Sequence, residues 1–174
     1  MKDKLQQLKQ FSTASFAVWP FNEADTSQLH ANVVILGLNP SKDIKFGLNF
    51  HGKRFDLWYE EAFSRSPFAG AYMTDLISIG EPSAKVVVEK WKDESFRVKH
   101  IKNIEKQFKI LEIETTTPIF CIGKNTEFLF RSAFQEYSNV VSIGHPNSYR
   151  MKNNKQAFLD DVARIGSLIE KTTG

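Results

Sequence analysis

The sequence predicts an α/β layered domain built on a mainly parallel sheet, and three observations carry that prediction. Four brief apolar runs, rich in β-branched and aromatic residues, are each bounded by Gly, Pro or Asn. They run almost without polar alternation, the pattern of strands buried on both faces. Between them lie stretches with apolar residues at helical spacing, and strands alternating with helices imply right-handed crossovers.

The elements follow in order. Residues 1–30 are expected to form a helical arm packed on a single domain that spans 1–174. Val33-Val34-Ile35-Leu36 is the first strand, and Phe55, Trp58 and Ala62 then share one helix face. Residues 71–79 read as the second strand, while Val86-Val87-Val88 is ambiguous between helix and strand, since three β-branched residues suit a strand better than a helix. Ile101, Ile104, Phe108 and Leu111 make a clean helical stripe before the third strand, Ile119-Phe120-Cys121-Ile122. Thr126 or Asn125 can cap a helix running through Phe134. Val140-Val141-Ser142-Ile143 is the fourth strand, and Leu159, Val162, Ile165 and Ile169 repeat the helical spacing after it.

Composition narrows the function classes. At 174 residues the chain suits one domain with enough buried surface to need no staple. The single Cys, Cys121, rules out an intrachain disulfide, a multi-Cys zinc site and a protein-bound iron–sulfur cluster; it reads as a buried strand residue. The four His residues, His30, His51, His100 and His145, lack ligand spacing, so no metal site and no cofactor are expected. With no leader-like apolar run and no stretch of membrane length, the expected setting is a reducing cytoplasm, away from membranes. A monomer is expected. Net charge is only +3, so the location of charge matters more than its sum.

In an open parallel sheet, ligands bind beyond the carboxyl ends of the strands. Here those ends carry Gly37-Leu38-Asn39-Pro40-Ser41, Thr74-Asp75, Gly123-Lys124-Asn125 and Gly144-His145-Pro146-Asn147-Ser148. Each has a plain alternative: Asn-Pro-Ser is ordinary turn chemistry, and His145 suits a loop hydrogen-bonder as well as a catalyst. Asp75 is costly amid Tyr72, Met73, Leu76 and Ile77 unless it is paired or functional. Gly-Lys-Asn lacks the rest of a phosphate-binding loop. Two basic clusters follow strand ends: Lys42, Lys45, Lys53 and Arg54 against Asp43, then Arg150, Lys152 and Lys155. The expected mouth is therefore basic and suits a phosphodiester backbone. Residues 85–109, with eight Lys and Arg against four acids, read as a solvated helix face.

Together these motifs resemble the uracil-DNA glycosylase superfamily. Gly37-Leu38-Asn39-Pro40 is similar to its first motif, and His145-Pro146-Asn147-Ser148 to its His-Pro-Ser-type second motif. Phe46-Gly47-Leu48-Asn49-Phe50 resembles the loop that presents a stacking Phe, pointing to Phe50; the base-reading Asn late in the second strand falls on Asp75. The resemblance implies a three-layer α/β/α sandwich with a short, mainly parallel four-stranded sheet. It implies a glycosylase that flips a deaminated, mismatched or modified base out of single- or double-stranded DNA and hydrolyses its N-glycosidic bond. Asn39 and His145 would be catalytic; Leu38, Ser41, Phe50 and Asp75 would line the base site; and Lys124, Ser148, Tyr149 and Arg150 would meet DNA.

Two departures bear on substrate. Ser41 stands where some members place a large aromatic, leaving room for a 5-substituent. Asp75 replaces an amide that both donates and accepts; an ionised carboxylate only accepts. That favours a base with an exocyclic amine, a protonated Asp75, or a site that no longer excises uracil. Tyr149 reads equally as a wedge into the duplex or as a loop aromatic packed on its own domain. Two other functions remain open: a module of the same fold that holds a nucleobase or nucleic acid without catalysis, and a hydrolase of free nucleosides or nucleotides. A steep fall in affinity with salt separates polyanion binding from the last.

Overall fold

The computed structural model describes residues 1–52, 56–65, 67–150 and 154–173. β1 (Ser15–Phe16), β2 (His30–Gly37), β3 (Ala71–Asp75), β4 (Ile119–Ile122) and β5 (Val140–Ile143) form one sheet in the order β1-β3-β2-β4-β5. β2, β3, β4 and β5 are parallel, and β1 runs antiparallel to β3. The four expected strands are present, and β1 makes the sheet five-stranded. Two residues are too few to show any periodicity, so β1 left no pattern to read.

Alternate residues of each central strand enter opposite cores. Val34, Leu36, Tyr72, Ile119 and Cys121 face helices α1 (Lys2–Leu8), α3 (Ala84–Lys90), α4 (Glu94–Leu111) and α5 (Lys124–Ala133). Val33, Ile35, Met73, Phe120 and Ile122 face α2 (Asp56–Phe63) and α7 (Lys155–Thr173). The result is an α/β/α sandwich, and the burial of both faces explains why the strand sequences lack polar alternation.

Several expectations are corrected. Of residues 1–30 only α1 is helical, and Leu5 and Leu8 tie it to the core. The second apolar run leaves the sheet at Asp75; Leu76 and Ile77 then donate their N–H groups to the carbonyls of Gly37 and Leu38, both at 2.9 Å. Val86-Val87-Val88 is helical, because Ser83 caps α3 and Val87 is buried in the core beneath it. The N-cap of α5 is Gly123, at φ 95°, and Thr126 instead donates to the Ile122 carbonyl at 2.8 Å. On α2 the buried residues are Tyr59, Ala62 and Phe63, with Trp58 half-buried; Phe55 lies outside the described residues. Residues Pro146–Arg150 form a short helix, α6, where a turn was expected.

The topology marks one end of the sheet as the place where a site is expected. From β2 the chain passes through α2 to β3 on one side, then through α3 and α4 on the opposite face to β4 on the other side. Connections that diverge in this way make the carboxyl end of the central strand the usual place for a ligand in such sheets.

His100, on α4, carries a pH prediction. It is 1% exposed; Nδ1 accepts from the Ser78 N–H at 3.3 Å, and Nε2 is buried without a hydrogen-bond partner among the described residues. Burial, with Lys99 adding to it, pushes its pKa down to about 4 from the usual 6.5. A depressed His pKa means that the unfolded chain binds the proton more readily. Stability is therefore complete above pH 6.5 and falls on acidification through the window down to about 4. The His100 share is on the order of 3 kcal/mol. Urea melts of wild type and His100→Leu at pH 7 and pH 4.5 should show a smaller acid loss in the variant; parallel losses would remove His100 as a cause.

Candidate active site

The candidate site is built from the end of β2 outward. Gly37 pairs with Asp75 across the β2–β3 ladder. A Cβ at Gly37 would collide with Asp75 Oδ1 and lie 2.9 Å from Phe50 Cζ, so only glycine lets these side chains converge. Strand alternation decides which way Asp75 faces. Thr74 turns toward α4, where its hydroxyl donates to Gln107 Oε1 at 2.9 Å, and Asp75 turns the other way.

Asp75 is 3% exposed, and Asn49 Nδ2 donates to its Oδ2 at 2.9 Å. Asn49 is buried as well, its second amide hydrogen held by the Thr13 carbonyl at 2.9 Å. Burial pushes the Asp75 pKa up to about 7; the Asn49 hydrogen bond draws it down, and negative Asp56 adds to the rise. Phe50 takes a left-handed backbone, φ 62°, uncommon for a bulky residue and a form of strain found where geometry is over-determined. Its ring meets Tyr59 edge-on at 5.4 Å, and Tyr59 stacks on Phe63 at 5.8 Å.

Tyr59 links this group to His145. Its hydroxyl lies 3.5 Å from His145 Nε2, and burial, with Asp56 and Asp75 nearby, holds it firmly as a neutral phenol. His145 Nδ1 accepts from the Asn147 N–H at 3.1 Å, which places the proton of the neutral ring on Nε2. Surrounding protein lowers the His145 pKa below 6.5, so the ring is neutral at pH 7. The cluster thus brings together a buried aromatic ring, a buried carboxyl group and a neutral imidazole.

The other sequence candidates sit differently. The Asn39 amide nitrogen faces the carbonyls of Glu81 at 2.7 Å, Pro40 at 2.8 Å and Ile79 at 3.3 Å, joining the β2 loop to the loop after β3. Leu38 packs on the core of the α4 face, and Ser41 is exposed. Lys124 is ion-paired with Glu127 at 3.1 Å and donates to Ser142 at 3.0 Å. Ser148 Oγ donates to the His145 carbonyl at 2.7 Å. Tyr149 donates to Asp161 and meets Phe158 edge-on at 5.6 Å, so it is packed on its own domain. Arg150 closes α6, its side chain outside what the structure describes, as are Lys53, Arg54 and Lys152. Lys42 and Lys45 are exposed, and Lys155 pairs with Glu61.

Two residues of the cluster escaped the sequence reading. Asn49 showed only as part of the loop before Phe50, and Tyr59 was not among the residues named on the helix face of Phe55, Trp58 and Ala62. A hydroxyl within that apolar stripe was the available signal.

Comparison with known proteins agrees with this geometry. No curated protein and no solved structure matches the chain. Residues 24–165 match the family model described as Uracil DNA glycosylase superfamily, a span from before β2 into α7. With most of its length so matched, the chain belongs to the uracil DNA glycosylase superfamily, whose members are DNA glycosylase-like.

Proposed function

We propose that the protein is a monofunctional DNA glycosylase that flips a deaminated, mismatched or modified base and releases it by water attack. The observation that carries this reading is the neutral His145, its proton fixed on Nε2 by the Asn147 contact and facing Tyr59, whose ring meets Phe50 edge-on beside Asp75. Breaking the N-glycosidic bond sends the electron pair onto the base and leaves an oxocarbenium-like sugar. An N–H donor facing the base oxygen stabilises that charge without transferring a proton. The Phe50 ring offers the stacking face that compensates for leaving the helix. Water then adds to the sugar carbon and loses its proton to solvent.

Asn39 is the candidate to hold that water. Its nitrogen is bound to loop carbonyls, which leaves Oδ1 as the side-chain acceptor for a water proton. An amide is no strong base, so turnover should be modest. Asn39→Ala should abolish cleavage while DNA affinity stays within about threefold, a margin below 1 kcal/mol. The assay is a panel of end-labelled oligonucleotides, single- and double-stranded, carrying uracil, mismatched thymine, hypoxanthine, xanthine or a 5-substituted pyrimidine. Alkali reports the abasic product. Equal cleavage by Asn39→Ala would remove it from the mechanism, and the variant's thermal melt shows whether the loop contacts still hold.

The same amide favours a second reading, a base-binding module without catalysis, because no carboxylate occupies that position. A blank panel combined with salt-sensitive DNA binding would favour the module.

A further inference from the structure

A cavity of about 560 Å³ opens between the segment after β1, the loop that leads to Phe50, and α2. None of the residues assembled around Asp75 and His145 lines it. Its walls are aromatic: Trp19 and His51 stack at 4.8 Å, and Phe21 meets Phe46 edge-on at 5.9 Å. All four rings are half-buried. Trp19 Nε1 is buried without a hydrogen-bond partner among the described residues, so the part of the indole left exposed is carbon. The walls are also fixed in advance. His51 Nε2 donates to the Phe16 carbonyl at 2.9 Å, and the Gly47 N–H donates to the Ala14 carbonyl at 2.9 Å. Gly47, at φ 78°, lies so close to Phe21 that a Cβ there would be 2.7 Å from its ring.

The charge at this cavity is negative. Glu23 and Glu60 line it, and no Lys or Arg is among the described residues that do. His51 adds no positive charge, because burial lowers its pKa and keeps the ring neutral at pH 7. Lys9 pairs with Glu23 at 2.5 Å from outside the lining, and Glu60 makes no ion pair among the described residues. Aromatic faces draw organic cations through the ring quadrupole, and carboxylates add to that attraction while repelling phosphate. A guanidinium suits both surfaces, since it stacks on a ring and forks a carboxylate. The volume exceeds what one such group fills, and Leu48, 58% exposed, offers an apolar contact at the rim.

We propose that this cavity docks an arginine side chain of a partner protein, carried on a segment with an apolar residue beside it. The guanidinium lies against the Trp19 and Phe21 walls and pairs with Glu60, and the apolar neighbour covers Leu48. The Phe46–His51 wall includes Asn49 and Phe50, so the partner rests against the loop that carries Phe50 while leaving the candidate active site uncovered. The proposal does not depend on the glycosylase reading.

The test is an NMR titration of the 15N-labelled full chain with the peptide Ac-Leu-Arg-Gly-NH2 and with its twin in which neutral citrulline replaces arginine. Amide shifts should be confined to residues 19–23, 46–51 and the neighbourhood of Glu60. The citrulline twin should bind roughly tenfold more weakly, because it keeps the shape and loses the charge. Glu60→Gln should weaken the arginine peptide about fivefold, and Trp19→Leu should do the same by removing the largest ring. If Trp19→Leu does not fold, Glu23→Gln, a change at an exposed position, takes its place with the same expectation. Equal affinity of the twins, or full affinity in Glu60→Gln, overturns the cation site. Choline binding as tightly as the peptide overturns the protein partner. Shifts of these residues by an oligothymidine but not by the peptide would make the cavity part of a nucleic-acid path and overturn the proposal, as would no shift with any probe.

Discussion

Replacing His145 by Ala is expected to lower single-turnover base release by about 10²–10³-fold, the usual loss when one preorganised donor to a developing anion is removed. The reasoning is geometric. Nδ1 is held by the Asn147 N–H, so Nε2 carries the proton, and Nε2 is the nitrogen that faces the Tyr59 hydroxyl. The donor is thus oriented before substrate arrives. Protonation would place a second hydrogen on Nδ1, facing the Asn147 N–H, and break that contact. The His145 pKa is lowered because surrounding protein disfavours the charged ring, so activity should rise with pH through a midpoint below 6.5 and be level by pH 7. His145→Gln retains an N–H donor without the Nδ1 anchor and should fall between wild type and Ala. DNA affinity should change little in either variant, since the interaction forms as charge develops on the base. A rate for His145→Ala within about threefold of wild type, less than 1 kcal/mol, would exclude His145 from transition-state stabilisation.

What the sequence made legible follows from how local each feature is. The four parallel strands could be read because burial on both faces leaves uninterrupted apolar runs, and Val33-Val34-Ile35-Leu36 states this within four residues. The helices α4 and α7 repeat apolar residues at regular spacing, as in Ile104, Phe108 and Leu111. β1 could not be read, because its two residues pair with β3 across more than fifty positions. Val86-Val87-Val88 shows local preference yielding to a cap and a core contact. The candidate site divides in the same way. His145, Phe50 and Asp75 were visible because polar or aromatic residues stood at strand ends and beside glycines. Asn49 and Tyr59 acquire meaning only when the loop before α2 folds over Gly37. The Lys124 charge looked available until α5 placed Glu127 one turn away.

Asp75→Asn should make the protein markedly more stable above pH 7, and this prediction is independent of any substrate. The folded-state pKa of Asp75 is about 7 against an ordinary 3.8, so the folded protein holds this proton more tightly than the unfolded chain does. For such a raised acid the stabilising contribution is complete below pH 3.8 and is lost as pH rises toward 7. At pH 8 the ionised Asp75 therefore weakens the fold by something on the order of 4 kcal/mol, and a neutral Asn removes that weakness. Asn also retains an oxygen to accept from Asn49 and nearly the same volume, so the packing against Gly37 and Phe50 is preserved. For a domain of this size the gain corresponds to roughly 10 °C in Tm. Calorimetric melts across pH 3.5 to 8 should show two curves that coincide in acid and separate steadily toward neutrality. Curves that stay parallel would mean that Asp75 ionises as readily in the folded protein as in the unfolded chain. Separation in the expected direction would show that the fold tolerates a standing loss of stability at the end of β3, where a neutral amide would fit. Departures from local consistency of this kind are characteristic of functional sites. The carboxyl group would then owe its place beside Phe50 to what it meets there rather than to what it contributes to folding.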